Sequence, residues 1–341
     1  MNNKKRFFND KRAQAVGIVM AKMPTIVKVD EALRKMDNQI MNKAQVDSLL
    51  REYIKDDEVA DYEALNEPGV QWEKQEEFMI ALLKISSAKQ KLSIWAFILE
   101  YPENYESLVA NTKILKSACD EIFKNKLLEN IFSYVLTIGN ILNSGSPKGQ
   151  ADGFSLDILP KLNSIKDSNG KTVVHFICSL LKKEDENFEN IKKNFPTVSE
   201  ASKLAFAEVQ SGLNKLKKDC RDQNAILQKI TDKDEFVKKA EQLFEKYSKE
   251  LEEADNKYIE AVKNFQNVVS FYGYGQNDSK YKNPEEFFGL LNEFLSDIDK
   301  SIPKTEPKKV FNRKHEVGKK VIENSNNMDA LLKELKSRVN T

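Results

Sequence analysis

Residues 240–272 read AEQLFEKYSKELEEADNKYIEAVKNFQNVVSFY. From Ala240, apolar or aromatic side chains recur at Phe244, Tyr247, Leu251, Ala254, Tyr258, Ala261, Phe265, Val268 and Tyr272, in steps that alternate four and three without a miss. That spacing draws one apolar seam along an α-helix and leaves the charges between on the other faces. Upstream, Leu213, Leu216, Cys220, Leu227, Ile230 and Val237 keep the rhythm, and a three-three step at Asp234, Val237 and Ala240 breaks its phase. Read as one helix over 198–272, the segment is on the order of 110 Å long at 1.5 Å per residue. A seam of that length must pack on something, either other helices of this chain or a partner.

Working outward, the composition agrees with a helical chain. Of 341 residues, 31% are charged and only 12 are Gly and 9 Pro. So few turn formers exclude a sandwich or barrel of many short strands, and high charge with few breakers implies long helices with solvated faces. The 54 basic and 53 acidic side chains leave a net charge of +1, which argues against a global nucleic-acid binder. No apolar run approaches the ~18 residues of a membrane span, and residues 1–28, with seven bases and one acid, hold no signal-peptide core. Cys119, Cys178 and Cys220 are too few and too widely spaced for a disulfide framework or zinc motif, which fits a reducing cytoplasmic setting.

Shorter elements flank the seam. In KRAQAVGIVMAK (11–22), Ala13, Val16, Val19 and Met20 recur at helical spacing and form a buried face, with Ile18 off that stripe. VDEALRKM and NKAQVDSLL read as short amphipathic helices. Charge reverses here, from +6 over 1–28 to −7 over 30–76. Residues 72–100 are apolar over a wide arc, with both tryptophans, Trp72 and Trp95, in helical context. Helix continues over 105–143. SGSPKGQADGFS is then the longest obvious loop, SLDILPKL a short helical turn, and IKDSNGKT a loop with an Asn-Gly turn signal.

Catalytic constellations do not emerge. His175 lies in the apolar run VVHFICSLL and reads as a core histidine, 140 residues from His315. Gly170-Lys171-Thr172 lacks the glycine a P-loop needs five residues earlier, where Ile165 stands. No metal-ligand or cofactor motif is visible, so the expectation is an interaction protein, not an enzyme, without cofactor or metal.

One stretch is more specific. Gly139, Asn140 and Asn143 (GN-x-x-N) precede a Gly-rich loop, then Gly153-Phe154-x-Leu156-x-x-Leu159-x-Lys161-Leu162, Ile165-Lys166-Asp167, Gly170-Lys171-Thr172 and His175-Phe176. This series resembles the signature of the formin homology two domain. Lys11-Arg12-Ala13-Gln14 with Ile18 resembles that domain's knob helix, and Pro284-Glu285-Glu286-Phe287-Phe288 its C-terminal end; the landmarks run in family order over residues ~9–295. Ala15 stands where the family's knob motif usually has Asn, and residues 1–10 offer no counterpart of the N-terminal lasso and linker.

The resemblance implies an all-α, elongated rod of helical subdomains: knob, three-helix coiled coil and post, with a long heptad helix. Residues 1–95 would be knob-like, 96–300 coiled coil and post, and 301–341 a basic tail. It implies an actin-binding core that engages filament barbed ends and supports nucleation and elongation when dimeric, within the cytoplasmic actin cytoskeleton. Two rods normally close a ring, each lasso wrapping the other's post. By motif position, Ile18 would enter the actin cleft, Lys166 contact an adjacent actin, and Gly139, Asn140 and Asn143 receive the lasso of a second formin subunit. With no lasso to exchange, a monomer is expected. The residues alone leave alternatives open: core packing for Ile18, a solvated loop lysine for Lys166, a helix C-terminus for Gly139 and Asn140, and a coiled-coil scaffold without actin activity for the whole chain. Finally, Met328, Asp329, Leu331, Leu332 and Leu335 resemble the autoregulatory segment of diaphanous-related formins, which implies binding to such a formin's N-terminal inhibitory region. Its four apolar residues sit at i, i+3, i+4 and i+7, but only Lys336 and Arg338 follow in place of a dense basic cluster. An ordinary terminal helix packed on its own domain is the alternative.

Overall fold

The computed structural model describes residues 4–185, 188–275 and 281–302. Twelve α-helices follow one another among them: α1 (Asp10–Met20), α2 (Ile26–Lys35), α3 (Lys43–Arg51), α4 (Asp56–Leu65), α5 (Lys74–Leu83), α6 (Ala88–Ile122), α7 (Lys126–Leu142), α8 (Val173–Glu184), α9 (Val198–Ala201), α10 (Phe206–Leu227), α11 (Glu235–Phe271) and α12 (Pro284–Ser301). Short 3-10 turns lie at Pro147–Gln150, Leu156–Asn163 and Ile191–Asn194. The described residues carry only two isolated β-bridges, Lys5 with Trp72 and Lys166 with Thr172. The all-α expectation holds.

Two compact units divide the chain, one within Met1–Ala110 and Glu208–Tyr258, the other within Asn111–Ala207 and Ile259–Thr341. Helices α6 and α11 supply residues to both.

The heptad segment is not one helix. It is interrupted between Ala201 and Phe206 and again between Leu227 and Glu235, the second break at the phase break in the sequence. Asp234 explains the restart. Its Oδ1 accepts from the Val237 N–H (3.2 Å), capping α11, and its Oδ2 accepts from the Lys91 ammonium (2.6 Å). Lys91 is 1% exposed and also reaches Asp232 at 3.4 Å. A buried ammonium must be paired, so the loop between α10 and α11 is tied to the first turn of α6.

The seam itself is spent inside the chain. Every seam position from Ala240 to Val268 is buried. In the first unit, Phe97 of α6 stacks on Phe244 (ring centroids 5.8 Å) and Tyr101 on Tyr247 (3.6 Å). In the second, Phe265 meets Phe287 and Phe288 of α12 at 5.8 and 5.9 Å. Pairs of this kind add to the area they bury.

Around the first unit's core, α1 packs on α3 and α5, and α2 on α5. The segment before α1 is strapped down. Lys5 N–H donates to the Gln71 carbonyl (2.8 Å), Glu73 N–H to the Lys5 carbonyl (3.2 Å), and Phe7 sits edge-on to Trp72. This pairing keeps residues 71–73 extended, so Trp72 stands before α5 and not inside a helix as its apolar surroundings predicted. Trp95 is helical, and its indole N–H donates to Asn38 Oδ1 at 2.9 Å.

Two outcomes follow. Leu251→Asp should collapse the helical circular-dichroism signal of the first unit instead of dissociating a folded dimer, because an unpaired carboxylate would enter an intrachain core. Lys91→Ala should lower unfolding free energy in urea by about 3 kcal/mol, the lower end for a broken buried pair, since its aspartates are partly exposed.

Candidate functional site

Ile18 sits on α1. Asn9 caps that helix, accepting from the Arg12 N–H at 2.9 Å, and Ala13, Val16 and Val19 face the core. Arg12 fixes its rotation. Nε donates to Glu58 Oε1 (2.5 Å), Nη1 to Glu52 Oε2 (2.6 Å), and Nη2 to the Glu52 and Tyr53 carbonyls (3.0 and 3.2 Å). The guanidinium also lies 5.3 Å from the Phe8 ring centroid. With one face buried and the arginine held on several sides, Ile18 projects outward at 55% exposure. The core-packing alternative for Ile18 therefore fails.

In the second unit, α7 ends in the GN-x-x-N run. Asn140 grips the following loop at both ends of its amide: Nδ2 donates to the Ala151 carbonyl and Oδ1 accepts from the Ala151 N–H, each at 2.9 Å. Asn143 closes the helix, its Nδ2 donating to the Gly139 carbonyl at 2.9 Å. Gly149 has a steric reason to be glycine, since a Cβ there would lie 2.5 Å from the Asn143 carbonyl oxygen. Gly139 shows none among the described residues. A Cβ would meet none of them within 4 Å, and its backbone is ordinary helix. A glycine in the last turn of a helix without such a reason leaves its surface open to close approach by another backbone or ring.

After the loop, the 3-10 turn at Leu156–Asn163 buries every third residue, Leu156, Leu159 and Leu162, as its threefold period requires. Two tyrosines hold its start. Tyr274 Oη accepts from the Leu156 N–H (2.9 Å), and Tyr281 Oη donates to Asp157 Oδ1 (2.7 Å). Burial first, then the Asp157 bond, pushes the Tyr281 phenol above its ordinary range. Lys166 follows in a hairpin, bridged to Thr172, and is exposed, with no ion pair among the described residues. Thr172 caps α8: its hydroxyl accepts from the His175 N–H (3.3 Å) and the His175 Nδ1 accepts from the Thr172 N–H (3.4 Å). His175 is thus an exposed capping residue and not a core histidine. The apolar run around it belongs to the opposite face of α8.

Once these positions are set, comparison with known proteins is decisive. The Formin Homology 2 Domain family matches residues 1–299. The chain belongs to this family. It is 27% identical over 315 residues to Formin-2 of Homo sapiens, 23% over 307 to Formin-G of Dictyostelium discoideum, and 24% over 338 to Formin of Gallus gallus. These alignments cover 86%, 87% and 93% of this chain but only 18%, 28% and 28% of the relatives. The chain therefore corresponds to a fraction of each relative's length.

Within this formin homology two fold, the sequence singled out Ile18, Lys166, Gly139, Asn140 and Asn143. The structure puts the last four in one unit and Ile18 in the other. Sequence reasoning missed the roles of Arg12, which anchors the helix bearing Ile18, and of Tyr274 and Tyr281, which hold the turn that leads to Lys166, because their partners lie dozens of positions away. The segment Met328–Leu335 lies outside the described residues. Burial pushes the Cys119 and Cys178 thiols up to about 12 and Cys220 up to about 11. All three stay protonated and unreactive at neutral pH. Among the described residues, no group of three or more His, Cys, Asp or Glu side chains is placed to hold a metal, and no helix is long and apolar enough to cross a membrane.

Arg12→Lys should lower stability by about 2 kcal/mol in denaturant unfolding, because an ammonium cannot reproduce the fork. Gly139→Ala should raise it by about 0.5–1 kcal/mol, since helix propensity improves and the methyl meets open space.

Proposed function

We propose that this chain is an actin-binding formin core that engages the filament barbed end and, when dimeric, supports nucleation and elongation. It acts by binding and not by catalysis, within the actin cytoskeleton. The observation that carries the reading is Ile18, more than half exposed on a helix whose other faces are buried or pinned. An isoleucine presented this way matches the knob residue that enters the actin cleft, and Lys166 matches the post lysine facing a neighbouring actin. In this reading residues 1–95 are the knob and 96–300 the coiled coil and post.

The open flank at Gly139 is the proposed seat of a second formin subunit's lasso, with Asn140 shaping the adjoining loop and Asn143 the helix end. Support comes from the open space a Cβ would meet at this glycine among the described residues. In the basic tail, 301–341, the apolar face of Met328, Leu331, Leu332 and Leu335, with Asp329 in the first turn, is the proposed ligand of a diaphanous-type inhibitory region. Its spacing supports that role.

Seeded pyrene-actin elongation tests the main reading. Ile18→Ala should weaken barbed-end binding by ~2 kcal/mol, about 30-fold, and change folding stability by less than ~0.5 kcal/mol. Unchanged barbed-end binding by this folded variant would sink the reading. A peptide of residues 322–341 should bind the inhibitory region in fluorescence anisotropy, and Leu332→Ala should weaken it. No binding by the parent peptide would leave the tail without that role.

A further inference from the structure

Lys166 is a long, exposed side chain, and its usefulness to a partner depends on where its backbone is held. The segment Asp167-Ser168-Asn169-Gly170 forms a turn closed by Gly170 N–H donating to the Asp167 carbonyl at 3.0 Å. Asp at the first position and Gly at the fourth is the preferred chemistry for such a turn. Gly170 has φ +78°, a left-handed conformation that strains other residues. The Asp167 side chain does the holding. Its Oδ1 accepts from the Asn169 N–H (2.9 Å) and the Lys171 N–H (2.7 Å), while its own N–H donates to the Lys171 carbonyl (2.9 Å). The second oxygen, Oδ2, is buried and meets no donor among the described residues. The carboxylate is spent on the amides of its own turn.

The far strand is fixed to α8, which Thr172 caps. The near strand is joined to it before Lys166 by the Val173 N–H, which donates to the Ile165 carbonyl at 3.1 Å. From Lys166 onward, the Lys166–Thr172 bridge and the turn built by Asp167 hold it. We propose that Asp167 is the positioning residue that presents Lys166 to the partner, an inference that rests on the reading of Lys166 as an actin contact. Asp167 touches no partner itself; it sets the backbone from which Lys166 reaches.

The test uses the full chain with two readouts: amide hydrogen exchange at Asn169 and Lys171 by nuclear magnetic resonance, and affinity for pyrene-actin barbed ends. Asp167→Ala should speed exchange at both amides and weaken binding about tenfold, equivalent to ~1.4 kcal/mol. Asp167→Asn keeps the accepting oxygen and should retain most of the affinity. Gly170→Ala strains the same turn without touching either side chain and should reproduce the loss. In a Lys166→Ala background, Asp167→Ala should cause no further loss, because the two act through one contact. If Lys166→Ala weakens binding while Asp167→Ala and Gly170→Ala loosen the amides and leave affinity intact, the positioning role is overturned. Additive losses overturn it as well. If Lys166→Ala alone is without effect, the underlying contact fails, and the positioning role with it.

Discussion

Burying one face of α11 is the constraint on which the rest depends. A 37-residue helix carrying an aromatic-rich seam is insoluble as a single surface, and this chain covers the seam with its own side chains. The stacked rings of Phe97, Tyr101, Phe244 and Tyr247 do so in one unit and Phe265 with α12 in the other. With its seam consumed internally from Ala240 to Val268, α11 offers no exposed heptad face among the described residues with which to act as a coiled-coil scaffold. In the proposed reading, partner recognition falls to residues outside it.

Those residues share a mode of support. Ile18, Lys166 and Gly139 each lie beside a neighbour that is held by hydrogen bonds: Arg12 by two glutamates and two carbonyls, Asp167 through one oxygen by its own turn, Asn140 by both backbone atoms of Ala151. Leaving a side chain free while locking its support costs little stability and would keep a proposed contact's geometry ready for a partner.

Helix content was legible throughout, because periodicity of the heptad kind depends only on local geometry. The phase break at Asp234 also showed in the sequence, but its consequence did not. The break between α10 and α11 follows from the pairing of Asp234 with Lys91, 143 residues away. Trp72 and His175 were read from apolar surroundings as helix-buried and core residues. A strand-like strap from Lys5 and a capping role beside Thr172 decided otherwise, and both are contacts that hydrophobicity does not encode.

By itself, then, the sequence determined an all-α chain, its buried seam and the family signature around Gly139 and Lys166, since spacing and motif order are properties of the chain alone. Tertiary structure decided which of those residues are free. Ile18 is off the α1 stripe in any helical reading, but the helix that presents it is held by Arg12 pairing with Glu52, just past α3, and Glu58 of α4. Gly139 becomes a candidate contact because, among the described residues, nothing outside its own helical turn lies within 4 Å of where a Cβ would stand. Exposure and close approach are set by what packs nearby in space, and distant pairings of that kind leave no periodic trace in a single sequence.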